Sequence, residues 1–146
     1  MKTKDILAEK GTHVVTIKET LLLVDVVSMF VTNRIGSVVV VNDHNEVIGL
    51  VAPNDVLKAI QHHPEYITTI TVSEVMTRDI IIVTPEDDID DLMTIMTDNK
   101  VRHLPVIDKG ELTGLVSIGD VVKAKTTVHD VELRYLTGYI EGKYPG

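Results

Sequence analysis

Apolar and polar positions along the chain change period in a fixed order, and that order occurs twice. The runs Val14-Val15-Thr16-Ile17 and Ile80-Ile81-Ile82-Val83 are rich in β-branched residues and predict strands. Each is followed by apolar residues at intervals of three and four, first Leu22, Val26, Met29 and Phe30, then Ile89, Leu92, Met93 and Met96. That spacing gives a helix one apolar stripe. The second helix is expected to open at Thr84-Pro85-Glu86-Asp87, which combines a capping hydroxyl, a first-turn proline and acids that suit the helix dipole. Two apolar stretches around a polar turn come next in each half. They are Ser37–Val41 and Val47–Val51 across Asn42-Asp43-His44-Asn45, then Leu104–Ile107 and Leu112–Val116 across Asp108-Lys109-Gly110. These predict hairpins. A short helix closes each half, over Asp55–Ile60 and Asp120–Lys125, so each unit reads β-α-β-β-α.

The repetition extends to residue identity. Gly49–Ala59 (GLVAPNDVLKA) and Gly114–Ala124 (GLVSIGDVVKA) agree at seven of eleven positions at a shift of 65. Upstream, Asn33–Val40 lines up with Asn99–Val106 at a shift of 66, and the missing residue falls in a turn, where deletions are tolerated. One unit of roughly 60 residues buries too little surface to be stable alone. Two pseudo-symmetric units packed sheet to sheet around a shared core are therefore expected, a mixed α/β architecture of the α+β class. Gln61-His62-His63-Pro64-Glu65-Tyr66 breaks the pattern, and Pro64 disfavours helix at His63. The expected organisation is a first repeat over 4–62, a linker over 63–72, a second repeat over 73–126, and a C-terminal helix and tail over 127–146. In the last segment Val128, Val131, Tyr135, Leu136 and Tyr139 fall along one helical face.

Composition narrows the chemistry. The 146 residues include no Cys, which excludes disulfides, thiolate zinc sites, iron–sulfur clusters and a cysteine nucleophile. No apolar run approaches the roughly 20 residues of a membrane span, and Met1-Lys2-Thr3-Lys4-Asp5 lacks the apolar segment of a signal peptide. A cytoplasmic location away from membranes is expected. With 14 Lys and Arg against 22 Asp and Glu the net charge is −8, which argues against duplex DNA as a ligand, although a local basic spot can still hold a small phosphate.

At this point the residues resemble a known family, tandem cystathionine β-synthase (CBS) domains, also called a Bateman module, over roughly residues 4 to 125. The motifs are Asp5-Ile6-Leu7 and Glu74-Val75-Met76 at the two copy starts, Val101-Arg102-His103-Leu104-Pro105-Val106, and Gly114-Leu115-Val116-Ser117-Ile118-Gly119-Asp120. The ending, Tyr139 to Gly146, is similar to the tail of small stand-alone CBS pairs, so no enzymatic domain is expected. The resemblance implies a regulatory module that binds AMP, ADP, ATP or another adenosine-containing ligand in clefts between the copies, and it does not imply catalysis; no required cofactor and no metal are expected. The family's ligand motif is Gly, an apolar residue, any residue, Ser or Thr, any two residues, then Asp. Gly114, Ser117 and Asp120 satisfy it in the second copy, whereas in the first copy Ala52 stands where the hydroxyl belongs between Gly49 and Asp55.

The residue chemistry fits that implication. An ionised Asp120 can accept hydrogen bonds from both ribose hydroxyls, and Ser117 is placed for a phosphate oxygen. Both lie at a strand-to-helix junction, whose free N–H groups favour an anion, and Gly119 keeps the backbone approachable. Arg102 offers a planar fork and His103 a pH-dependent donor. Thr84 resembles a family position that lines the nucleotide, and Ile80, Ile82 and Val101 are candidates for the aliphatic wall against adenine. Gly36-Ser37 replaces Arg102-His103 in the first copy, so a weaker second site is expected around Thr16, Ser37 and Asp55.

Blander readings stand beside these. Ser117 and Asp120 are also ordinary helix starters. His62-His63 with Glu65 lacks a secure third metal ligand and reads as linker. The five acids Glu86, Asp87, Asp88, Asp90 and Asp91 read as a solvated face, and Met93 and Met96 as core. No nucleophile–base pair or phosphate-transfer loop is visible, so enzymatic activity is not expected. The functional expectation is an adenine-nucleotide sensor, a homodimer, that shifts its conformation or its affinity for an unidentified regulated protein. The competing class is a structural dimerisation module with vestigial clefts.

Overall fold

The computed structural model describes residues 1–126, and the expected C-terminal helix over 127–146 lies outside the described residues. In chain order the elements are α1 (Thr3–Lys10), β1 (Thr16–Lys18), α2 (Leu23–Asn33), β2 (Val38–Val41), β3 (Val47–Val51) and α3 (Pro53–His62). After a 3-10 turn over Pro64–Tyr66 come α4 (Val72–Val75), α5 (Ile89–Asn99), β4 (His103–Asp108) and β5 (Glu111–Ser117). A final helix, α6, starts at 118 and runs to the end of the described residues at 126. The fold is mixed α/β with two small sheets. β1 pairs parallel to β2 and β2 antiparallel to β3, while β4 and β5 form a separate antiparallel pair.

The repeat is visible in backbone detail. α2 and α5 both end on a residue in the left-handed conformation, Arg34 at φ 53° and Lys100 at φ 55°. Both hairpins shift register at equivalent places, between Val40 and Val41 and between Val106 and Ile107. Val38 through Val41 are all buried. Because strand side chains alternate, both faces of this sheet are covered. Val38 and Val40 join one core cluster with Leu23, Val26 and Val51, and Leu104 and Val106 join a second with Leu92, Met96 and Val116.

Two expectations need correction. Ile80-Ile81-Ile82-Val83 is not a strand and makes a single parallel bridge, Val83 with Val106. Val83 N–H donates to Pro105 O at 3.0 Å and Ile107 N–H donates to Val83 O at 2.8 Å. The next parallel bond would run from residue 105 to Ile81 O, and Pro105 has no N–H to give. In the first copy the equivalent Val39 N–H does donate to Val15 O, at 3.2 Å, and β1 forms.

The second helix also starts later than expected, at Ile89. Thr84 to Asp87 forms a turn in which Asp87 Oδ2 accepts the Thr84 N–H at 2.7 Å. The carbonyls of Pro85 and Asp87 accept the N–H groups of Lys4 and Thr3, at 3.0 and 2.8 Å. The turn thus satisfies the free donors at the start of α1.

α1 itself was not predicted, since its eight residues carry only a short apolar cluster. Its Ile6 and Leu7 pack into the second copy's core, whereas Ile70, Val72 and Met76, which lead into the second copy, pack into the first. Each leader therefore completes the other copy. Equivalent glycines make room for them, because a Cβ at Gly114 would lie 2.6 Å from Leu7 Cδ2 and one at Gly49 would lie 2.7 Å from Met76 Sδ.

Candidate functional site

Asp55 and Asp120 occupy the same position in the two copies, at the third residue of the helix that follows the hairpin. In the second copy the junction is a reciprocal pair. Ser117 N–H donates to Asp120 Oδ2 at 2.8 Å, and Asp120 N–H donates to Ser117 Oγ at 3.1 Å. In the first copy Ala52 has no hydroxyl to return, and only the Ala52 N–H to Asp55 Oδ2 bond remains, at 2.8 Å.

Each carboxylate also meets a side chain from the opposite leader. Lys10, the last residue of α1, places Nζ 2.6 Å from Asp120 Oδ2 and donates to Leu115 O at 2.9 Å. Thr77 Oγ1 donates to Asp55 Oδ1 at 2.8 Å. Sequence reasoning missed both partners. Lys10 is 110 residues from Asp120, so no local period reports the contact. The two copy-start motifs, Asp5-Ile6-Leu7 and Glu74-Val75-Met76, mark both leaders as parts of the repeat but include neither Lys10 nor Thr77.

The electrostatics follow from this geometry. Partial burial works against the charged form of Asp120, yet the Lys10 ammonium and the Ser117 backbone and hydroxyl groups outweigh it and hold the carboxyl below its ordinary value. His103 is half-buried and pairs directly with Ser117 across the hairpin. Burial, followed by the positive charge of Lys10 and Arg102, lowers its imidazole pKa, and Asp120 pulls the other way. His103 also reaches the first copy, since a Cβ at Gly36 would lie 3.1 Å from its Nε2. His103, Ser117, Asp120 and Lys10 thus form one cluster that abuts Gly36. Arg102 is exposed beside it, and its carbonyl accepts the Ile118 N–H at 2.8 Å.

The remaining candidates separate by environment. Ile81 and Val83 turn toward the second core, which leaves Ile80 half-buried and Ile82 51% exposed on the other side. Val101 packs against the second core, so its packing is accounted for without a ligand. Thr84 is exposed in the turn that receives α1. Ser37 is 6% exposed, and its hydroxyl has no hydrogen-bond partner among the described residues. Thr16 lines a groove with Lys18, Thr20, Leu21 and Asn45, and Ser37 and Asp55 are not among its lining residues. Beside Asp120 lies a cavity of about 180 Å³, lined by Ile6, Glu9, Lys10, Lys123 and others. Of the candidate residues, Asp120 alone lines it.

Comparison with known proteins identifies the family. The CBS domain family model matches the chain twice, over residues 4–62 and 72–126. A CBS domain-containing mitochondrial protein of Arabidopsis thaliana is 36% identical over 124 residues, 82% of this chain and 60% of that protein. The chain thus spans under two thirds of that relative's length. The crystal structure of a CBS-domain containing protein from Agrobacterium tumefaciens superposes with a TM-score of 0.82 at 35% identity, covering 85% of this chain and 92% of that one. A more distant CBS domain pair, 20% identical with a TM-score of 0.75, covers 87% of this chain and 97% of its own, and was crystallised in complex with 5′-methylthioadenosine and S-adenosyl-L-methionine. Among the described residues, no helix is long and apolar enough to cross a membrane.

Proposed function

Because the chain belongs to the CBS domain family, as a tandem pair, we propose that it is a regulatory binding protein whose second-copy junction takes an adenosine-containing nucleotide. Binding shifts its conformation or its affinity for a partner, and no turnover is assigned to it. The observation that carries the reading is the Asp120 carboxylate, held ionised at a helix start. Both of its contacts, from Lys10 and from the Ser117 N–H, fall on Oδ2. A ribose whose two hydroxyls engage both carboxylate oxygens therefore meets Lys10 at Oδ2. Ser117, Arg102 and His103 supply donors for a phosphate, and Ile80 and Ile82 supply an apolar wall. The distant pair crystallised with two adenosyl compounds supports the ligand class at the level of the fold.

The first-copy junction, with Ala52 for the hydroxyl and Ser37 for the imidazole, is read as the weaker site. Exposed apolar residues on the closing helices, Leu57 and Ile60 of α3 and Val122 of α6, support a homodimer. The second reading, a ligand-independent assembly module, draws on the fact that Ser117 and Asp120 already satisfy each other. A thermal-shift panel of AMP, ATP, NAD, S-adenosylmethionine and adenosine separates the two. The sensor reading expects at least one ligand to raise the melting temperature, with the rise lost in Asp120→Ala. No shift with any ligand favours the assembly module.

A further inference from the structure

We propose that Lys10 makes the Asp120 junction select phosphate-bearing adenosine ligands over neutral or cationic ones, an inference that rests on the nucleotide site proposed above. The Lys10 ammonium already occupies the carboxylate that a ribose has to take, at 2.6 Å from Asp120 Oδ2. A ribose that engages both oxygens of the carboxylate competes with it for Oδ2. The side chains of the pair are 37% and 22% exposed, so solvent screens the attraction and the contact is breakable.

The helix that delivers Lys10 is anchored. Ile6 and Leu7 are buried in the second core, and Gly11 N–H closes the helix on Leu7 O at 2.8 Å. Only the flexible lysine stem needs to swing. Where the ammonium can go decides the selectivity. A neutral ligand displaces Lys10 and returns nothing to it, whereas a ligand with a phosphate supplies a new anion within reach. His103 pairs with Ser117 across the hairpin, and Ser117 and Lys10 both bond the Asp120 carboxylate, so the imidazole and the ammonium belong to one site beside Arg102. A sulfonium ligand would add a further positive charge to it. The first junction has no such device, because Asp55 is met by the uncharged Thr77 hydroxyl.

The test is calorimetric titration of the full chain with AMP and with 5′-methylthioadenosine, which shares base and ribose but carries no phosphate. The wild type is expected to prefer AMP by about tenfold or more, the low end of what a hydrogen bond to a charged group is worth. Lys10→Met narrows that preference about tenfold, by weakening AMP while leaving 5′-methylthioadenosine unchanged or tighter. Lys10→Arg retains most of the preference, and raising the salt concentration erodes it in the wild type without any substitution. A wild type that favours 5′-methylthioadenosine overturns the inference, as does an unchanged ratio in Lys10→Met. If the wild type and Lys10→Met discriminate equally while Asp120→Ala loses both ligands, the Lys10 assignment alone fails. If the wild type binds neither ligand, the nucleotide site itself fails and the Lys10 role falls with it.

Discussion

At the scale of the residue, Asp120 caps a helix and offers a carboxylate to a ligand, and the two roles separate in magnitude. Asp120→Ala removes the reciprocal bond with Ser117 and the Lys10 pair, and a helix cap of this kind is worth about 1 kcal/mol of stability. The same change is expected to weaken any adenine nucleotide by tenfold or more, measured by titration under conditions where the variant is folded; equal affinity would remove the ribose assignment. Arg102→Ala is expected to cost AMP affinity and leave adenosine nearly unchanged, since only AMP carries the phosphate, and parallel losses would contradict that role. His103 gives a pH dependence with a definite sign. Its folded value lies below the ordinary value near 6.5, because burial and the cations Lys10 and Arg102 disfavour the imidazolium. The unfolded chain therefore takes up this proton first, so the contribution is complete above about pH 6.5 and is lost as pH falls toward the folded value. Urea unfolding at pH 7.5 and 5.5 should show a larger acid loss for the wild type than for His103→Gln, and an equal loss would place the titration elsewhere.

At the scale of the element, one proline explains why the two copies differ. Both hairpins and the apolar stripes of α2 and α5 were legible in the sequence because their periods are set by residues that face a core. The β-branched run at Ile80–Val83 misled, since β propensity measures fit to a pleated surface and not the presence of a donor on the neighbouring strand. Pro105 was in view and is the reason the ladder stops at Val83. Pro105→Val is expected to extend the pairing toward Ile81, read as slow hydrogen exchange of the new amide; exchange at the rate of an exposed loop would contradict it. α1 was illegible for a different reason. Its two core residues, Ile6 and Leu7, are too few to establish a helical period, and their partners lie in the other half of the chain. Leu7→Ala should destabilise the protein by about 2–5 kcal/mol, as for other buried leucines, because Leu7 is seated against Gly114 in the second core. A loss below about 1 kcal/mol in chemical unfolding would mean that α1 is not integral to that core.

At the scale of the whole molecule, the crossing of the leaders ties the copies into one unit and brings a side chain from each leader to the opposite copy's carboxylate. That arrangement explains why the site was only partly legible. Asp120, Ser117 and His103 are local to one repeat and carry a motif, whereas Lys10 and Thr77 arrive by topology. It also gives ligand binding a physical route to a conformational readout, because a ligand that displaces Lys10 breaks a contact between α1 and α6, and the population shifts only as far as affinities for the two arrangements differ. The proposed homodimer predicts a sedimenting mass of twice the 16.1 kDa chain, returning to one chain in Leu57→Asp, and a wild-type monomer would contradict it. The central claim, that a nucleotide takes over the Asp120 carboxylate, is tested most directly by a crystal structure grown with saturating AMP. The predicted result is ribose hydroxyls within hydrogen-bond distance of Asp120 and the Lys10 ammonium turned to the phosphate. An intact Lys10–Asp120 pair with AMP bound elsewhere, or not bound, would contradict it.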